Sequence, residues 1–109
     1  MRIFTMLLAS IFVVAIAAPA YAQSANAGRA KAAQVCNVCH GENGMSQQPN
    51  APNLAGQPAI YTAEQLKAYR SGKRSNEIMA VMAKPLTDQE IDDLAAWFES
   101  IKVTVLLPK

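Results

Sequence analysis

The chain contains two cysteines and one histidine, and all three fall within five consecutive residues, Cys36-Asn37-Val38-Cys39-His40. Two thiols separated by two residues and followed directly by an imidazole form the pattern typical of covalent haem c attachment. In such sites the thiols add to the vinyl groups of the porphyrin, and the histidine binds the iron as its proximal ligand. The motif occurs once, so the sequence predicts one haem c held by Cys36, Cys39 and His40.

Other kinds of site also use a Cys-x-x-Cys pair, namely structural zinc, a thioredoxin-like dithiol and a plain disulfide. Structural zinc normally takes four ligands from Cys and His, and this chain has only three such residues. A redox dithiol belongs at a strand-to-helix junction, whereas residues 26–35 are rich in alanine and show no strand-like run. These alternatives stay open but suit the sequence less well than haem.

The first residues predict export from the cytoplasm. Arg2 is followed by an apolar run from Ile3 to Ala18 and then by Ala20-Tyr21-Ala22, which is a signal-peptidase pattern. We expect a secretory signal peptide over residues 1–22 and a periplasmic location, where haem c would be attached. An uncleaved membrane anchor is the alternative, although the run is shorter than the ~20 apolar residues of a spanning helix.

Residues 23–109 then form one small domain. The whole chain carries ten basic and eight acidic side chains, so it is close to neutral, and no binding to nucleic acid is implied. A domain of this size buries little apolar surface and often depends on a cofactor for stability. We therefore expect the haem to supply part of the hydrophobic interior.

The pattern of apolar residues predicts an all-α domain with three helical segments. The first covers roughly residues 26–38, with Ser24 or Asn26 as its cap, and runs into the motif. The second is expected to begin with a capping box at Thr62 and to end at Gly72. A loop rich in glycine and proline, residues 41–58, separates these two segments.

The third segment has the clearest helical signature. Thr87 and Glu90 have capping-box spacing, and an apolar stripe follows at helical spacing, formed by Ile91, Leu94, Ala95, Phe98 and Ile101. The neighbouring carboxylates are expected to face water rather than to form a catalytic pair; they are Glu90, Asp92, Asp93 and Glu99.

A methionine thioether opposite the histidine is the axial ligand that raises the potential of a haem used for electron transfer. Met45 follows His40 too closely to reach the other face of the haem. Met79 and Met82 remain as candidates, and ordinary core packing is the alternative role for either.

The chain resembles bacterial class I c-type cytochromes, especially one half of the two-haem respiratory cytochromes c or their single-haem periplasmic relatives. The resemblance covers almost all of residues 23–109. It is carried by Cys36-Asn37-Val38-Cys39-His40-Gly41, Pro49-Asn50-Ala51-Pro52-Asn53-Leu54-Ala55-Gly56-Gln57, Ser71-Gly72-Lys73-Arg74, and Leu86-Thr87-Asp88-Gln89-Glu90-Ile91 followed by Trp97-Phe98. It implies the class I cytochrome c fold, with three main helices and loops wrapped around one covalently bound haem.

The resemblance also implies roles for individual residues. In such cytochromes the axial methionine follows the Gly-Lys-Arg segment by about five residues, which favours Met79 as the distal ligand over Met82. The Pro52 carbonyl is expected to accept the outer N–H of the His40 ring. Gly28 is expected to let the first helix cross the last one closely, near Trp97.

The function implied is that of a periplasmic one-electron carrier that transforms no substrate and docks transiently with redox partner proteins. Contact with a membrane is expected only through membrane-bound partners. The alternatives are an electron-transfer subunit of a larger oxidoreductase and a haem enzyme with an open sixth position. The apolar tail, residues 103–109, is expected to pack on its own domain, with docking to a partner protein as the alternative.

Overall fold

The computed structural model describes residues 22–109 and contains five helices in that range. They are α1 (Ala25–Val35), α2 (Asn37–His40), α3 (Ala59–Ser71), α4 (Glu77–Ala83) and α5 (Asp88–Ser100). The described part of the chain has no strand, which confirms the all-α prediction, and α1, α3 and α5 are the three main helices. The predicted signal peptide falls on residues 1–21, outside the described residues, and stays a prediction.

The first predicted helix is divided into two. Ser24 is the cap of α1, because its Oγ accepts the backbone N–H of Ala27 at 3.2 Å. The helix ends at Val35, and a separate short helix, α2, carries the rest of the motif. The prediction of one continuous helix over residues 26–38 was therefore wrong at Cys36, which ends α1 and begins α2 with φ of −107°.

The start of α3 also differs from the prediction. The helix begins at Ala59, three residues before the predicted cap, and Thr62 lies buried inside its first turn. The free backbone N–H of Ala59 donates to Glu99 Oε1 of α5 at 2.9 Å. A carboxylate from a distant helix thus replaces the predicted local capping box. The predicted end is confirmed, since Gly72 has the left-handed conformation with φ of 83°.

Helix α5 follows the prediction at its start and on its inner face. Thr87 and Glu90 form the reciprocal capping box, and Ile91, Leu94 and Phe98 are almost fully buried. The central apolar cluster consists of Ala32, Ala83, Leu86, Ile91, Leu94 and Phe98. It lies where α1, α3 and the end of α4 meet α5.

Asp93 is the exception on α5. It was expected to face water, but it is only 8% exposed. Its Oδ1 accepts the backbone N–H of Ser24 at 2.7 Å and the side-chain amide of Gln89 at 2.9 Å. The carboxylate faces the start of α1 because the two helices cross here, and these hydrogen bonds offset the cost of its burial.

The crossing of α1 and α5 depends on Gly28. A Cβ atom at this position would lie 1.9 Å from the Asp93 carbonyl oxygen and 2.9 Å from the Trp97 Cβ. The first of these atoms belongs to the backbone and cannot rotate away. Gly28 therefore permits a helix contact that no other residue type allows at this separation.

We expect Gly28→Ala to lower the free energy of unfolding of the haem-loaded protein by about 2 kcal/mol, because the two helices must move apart. Denaturant unfolding followed by circular dichroism measures the change. Ala33→Val, at an exposed position of the same helix, is the control and should cost only about 0.5 kcal/mol through helix propensity. Equal effects of the two substitutions would contradict the proposed role of the close crossing.

Beyond Val103, whose Cγ2 lies 3.1 Å from the position of a Cβ on Gly56, the C-terminal tail does not pack on the domain. Val105, Leu106 and Leu107 are 74%, 89% and 82% exposed, and no backbone hydrogen bond joins residues 103–109 to the described part of the chain. The expectation that the tail packs on its own domain was therefore wrong beyond Val103, because residues 104–109 follow α5 without a turn or a backbone hydrogen bond that returns them to the helices. None of the helices between residues 22 and 109 is long and apolar enough to span a membrane.

Candidate haem site

The two cysteines lie at the junction of α1 and α2. Both are half-buried, and both are free thiols rather than a disulfide. The backbone N–H of Cys36 donates to the Ala32 carbonyl, and the Cys36 carbonyl accepts from the N–H of His40. One turn of backbone therefore fixes the spacing of the two sulfurs and the imidazole.

The Cys36 thiol is in an apolar environment. Burial raises its pKa to about 11, and the positive charge of Lys31 opposes this shift only in part. Before attachment the thiol is therefore protonated at neutral pH. A site built for thiolate chemistry would show the opposite shift.

His40 is the most enclosed member of the motif, with 8% of its surface exposed. Its Nδ1 lies 2.8 Å from the Pro52 carbonyl oxygen. Since a carbonyl can only accept a hydrogen bond, Nδ1 carries a proton, and in the neutral imidazole Nε2 then has the lone pair that can bind a metal. This is the orientation that a second-shell carbonyl gives to a metal-binding imidazole.

The loop after α2 brings Pro52 to His40. Gly41 has φ of +82°, and a Cβ on it would lie 2.2 Å from the Met45 carbonyl oxygen. The Ser46 hydroxyl donates to the Cys39 carbonyl at 3.0 Å, and the Ser46 backbone N–H donates to Asn53 Oδ1 at 2.8 Å. These bonds fold the loop back over the motif, which is what places the Pro52 carbonyl beside the imidazole.

Helix α4 carries both candidate methionines and was not predicted. Asn76 caps it by accepting the backbone N–H of Met79 at 2.9 Å. Met79 and Met82 are both half-buried, whereas Ile78 and Val81 are exposed. Both methionines therefore lie toward the inner side of α4, so the helix alone does not select between them.

The carboxylates of α5 are occupied in structural contacts. Glu90 Oε1 lies 2.8 Å from Lys31 Nζ, and the bond from Lys31 is the largest cause of the lowered pKa of that carboxyl. Asp88 pairs with Arg70, whose hydrogen bond and charge lower the pKa of the Asp88 carboxyl. These contacts agree with the interpretation that α5 holds no paired-carboxylate catalytic site.

The donor set suits haem better than the alternatives. Within residues 22–109 no three His, Cys, Asp or Glu side chains are grouped so as to hold a metal ion, so the zinc interpretation has no ligand set there. The motif instead offers two reduced thiols beside an imidazole whose Nε2 is available. These are the groups that attachment and proximal ligation of haem c require.

Arg70, near the end of α3, and Arg74, between α3 and α4, were not identified as site residues from the sequence. The Arg70 guanidinium donates to the Leu86 carbonyl at 2.9 Å. Arg74 donates to Gln65 Oε1 at 2.7 Å and lies over the Tyr69 ring. The Ser71-Gly72-Lys73-Arg74 turn gave a positional signal, but nothing in the sequence identified these partners.

Trp97 lies at the crossing of α1 and α5, as expected of a core aromatic residue. It packs against the central apolar cluster, and the Arg29 guanidinium carbon lies 5.4 Å from the centroid of its ring. This cation–π contact covers the outer face of the indole. Trp97 therefore belongs to the helix pair.

Comparison with known proteins agrees with this geometry. The family model described as Cytochrome c matches residues 25–102. Cytochrome c4 of Thiocapsa roseopersicina is 51% identical over 72 residues, which is 66% of this chain and 37% of that protein. A thiosulfate dehydrogenase electron acceptor of Stutzerimonas stutzeri is 43% identical over 75 residues, which is 68% of this chain and 35% of that protein.

Solved structures agree as well. The crystal structure of reduced recombinant cytochrome c4 from Pseudomonas stutzeri matches with a TM-score of 0.70 and 41% identity, covering 77% of this chain and 48% of that chain. The chain thus spans less than half the length of these relatives.

Proposed function

Because the chain belongs to the cytochrome c family and has the class I cytochrome c fold, we propose that it is a periplasmic monohaem one-electron carrier. The observation that carries the proposal is the arrangement of the motif, in which the two thiols flank one turn of backbone and the Pro52 carbonyl orients His40. When bound, haem c supplies an iron that alternates between the ferrous and ferric states. No substrate is transformed by the chain itself.

In this proposal each site residue has one task. Cys36 and Cys39 hold the porphyrin covalently, and His40 binds the iron through Nε2 while Nδ1 stays bonded to Pro52. Met79 is the distal ligand, with Met82 as the alternative. The spacing from the Gly72-Lys73-Arg74 turn, as the family resemblance implies it, supports this choice. Two such fixed ligands would limit rearrangement between the redox states, which would favour rapid electron transfer.

The location and partners are part of the same proposal. The apolar N-terminal run and its Ala-x-Ala pattern support export through a cleaved signal peptide. Partners are redox proteins that dock transiently, since a carrier must dissociate quickly and such encounters bury little surface. Membranes are reached only through membrane-bound partners.

A second candidate function is an electron-transfer subunit of a larger oxidoreductase. The likeness to a protein named as a thiosulfate dehydrogenase electron acceptor favours it. Co-purification with an enzyme at fixed stoichiometry would support the subunit role. Elution of the exported protein as a free monomer in gel filtration would support the carrier.

The absorption spectrum of the exported protein in both redox states tests the carrier proposal. We expect a low-spin ferrous c-type spectrum and, in the ferric state, the weak long-wavelength band of a thioether ligand. A high-spin spectrum of the native protein would overturn the proposal and favour the haem enzyme with an open sixth position.

A further inference from the structure

The segment that carries the two methionines is joined to α3 at both of its ends. This segment, residues 73–87, comprises the turn after α3, helix α4 and the turn before α5, and is called the methionine segment below. At its start the Arg74 guanidinium donates to Gln65 Oε1, and the Arg74 backbone N–H donates to the Ala68 carbonyl at 3.1 Å. At its end the Arg70 guanidinium reaches the Leu86 carbonyl and, at 2.5 Å, Asp88 Oδ1.

Between these two attachments, helix α4 has only local polar contacts. The backbone N–H groups of Met79 and Ala80 donate to Asn76, and the N–H of Leu86 donates to Ala83. No side-chain hydrogen bond or ion pair of the described residues joins α4 to another helix. The position of α4 relative to α3 therefore depends on apolar packing, including that of the buried Ala83 and Leu86, and on the two arginine attachments.

The Arg70 attachment is the stronger of the two. Its side chain is only 30% exposed, and it uses two nitrogens on two different acceptors, one on each side of the Thr87 cap. A hydrogen bond from a charged donor to a shielded carbonyl is among the strongest in proteins. The Arg74 side chain is more exposed, and its guanidinium carbon lies 4.7 Å from the centroid of the Tyr69 ring. The two arginines thus hold the two ends of the methionine segment with unequal strength.

We propose that Arg70 and Arg74 are positioning residues that fasten the methionine segment to α3 and thereby set how readily Met79 leaves the iron. The inference rests on the proposed function, because it assumes a methionine ligand supplied by α4. Neither arginine would bind the haem itself. Each acts through the position of α4, so weakening an attachment increases the fraction of molecules in which the sixth position is open.

Cyanide binding to the oxidised holoprotein measures this fraction. Cyanide competes with the methionine, and its apparent dissociation constant falls as the open fraction rises. We expect Arg70→Gln to lower that constant about tenfold, given the usual strength of hydrogen bonds from charged groups, and Arg74→Gln to lower it roughly threefold. Asp88→Asn, which leaves the bond to Leu86 in place, should have a smaller effect than Arg70→Gln.

Matched variants separate positioning from loss of charge and from general destabilisation. Lys102→Gln removes an exposed positive charge beyond α5, and Ser24→Ala removes the cap of α1. Both should leave cyanide affinity unchanged, although Ser24→Ala lowers the unfolding free energy. Arg70→Lys keeps one donor nitrogen in place of two. Its cyanide dissociation constant should therefore lie between those of Arg70→Gln and the wild type. Arg70→Lys also supplies the measurement should Arg70→Gln fail to accumulate.

The outcomes distinguish the two proposals. If the wild-type protein shows the thioether band and neither Arg70→Gln nor Arg70→Lys changes cyanide affinity relative to Lys102→Gln, the positioning role is wrong and the carrier proposal stands. If the wild-type spectrum lacks the thioether band, the methionine ligand of the proposed function is wrong. If Ser24→Ala and Arg70→Gln changed the cyanide affinity by the same factor, the positioning role would also be wrong.

Discussion

Replacement of Met79 by alanine is expected to open the sixth position of the haem iron. The thioether band should disappear, and the ferric protein should become high-spin or bind water and added ligands. Because a methionine ligand stabilises the ferrous state, the reduction potential should fall by on the order of 0.1 V, within the wide range that axial ligands produce. Absorption spectra and potentiometric titration of the purified holoprotein measure both changes.

Met82→Ala is the matched control, because Met82 lies one turn further along α4 and is half-buried like Met79. It should lower stability by about 2 kcal/mol through loss of packing and leave the band and the potential nearly unchanged. The reverse pattern would assign the distal ligand to Met82. Retention of the band in both single variants would contradict ligation by either residue of α4.

Features that depend on residues close together in the chain were predicted well. The Cys-x-x-Cys-His motif places its two thiols and its imidazole within two helical turns, and the structure keeps them together on one turn of backbone. The capping box of Thr87 with Glu90 and the apolar stripe of α5 are equally local. In each of these cases the interacting groups lie within a few residues of one another, and helical geometry is enough to relate them.

Two features that depend on distant partners were missed. The N–H at the start of α3 is satisfied by Glu99, 40 residues away, so the local Thr62 pattern gave the wrong first residue. Asp93 is buried because the Ser24 N–H, 69 residues away, donates to it. Sequence spacing carries no information about either pairing. Both follow from the close crossing or packing of helices against α5.

Helix α4 was missed for a different reason. It has only seven residues, and its apolar side chains occur on both its inner and outer sides. A short helix of this kind shows no clear stripe, and its cap, Asn76, is a weaker signal than a capping box. The residue chosen as distal ligand therefore rests on the family spacing rather than on a predicted helix.

The double replacement Cys36→Ala with Cys39→Ala tests whether the fold depends on covalent haem. Two of the six residues in the central apolar cluster are alanines, Ala32 and Ala83, so the cluster buries few large side chains. A small domain with such a core has a stability margin of only ~3–5 kcal/mol without a cofactor or cross-link. We expect the double variant to lose covalent haem together with the stability that the haem adds, so that it retains at most this margin.

The intact mass under denaturing conditions shows whether porphyrin is covalently attached. Thermal unfolding followed by circular dichroism measures the stability. Val38→Ala is the control inside the motif, since Val38 is 78% exposed and leaves both thiols and His40 in place. It should keep the added porphyrin mass and a cooperative unfolding transition.

Because Cys36 also packs against the central cluster, the single variant Cys36→Ala should be less stable than Cys39→Ala when both retain one thioether. A porphyrin mass that survives denaturation of the double variant would show that attachment does not use these sulfurs. An unchanged melting temperature in that variant would show instead that the fold does not rest on the covalent link.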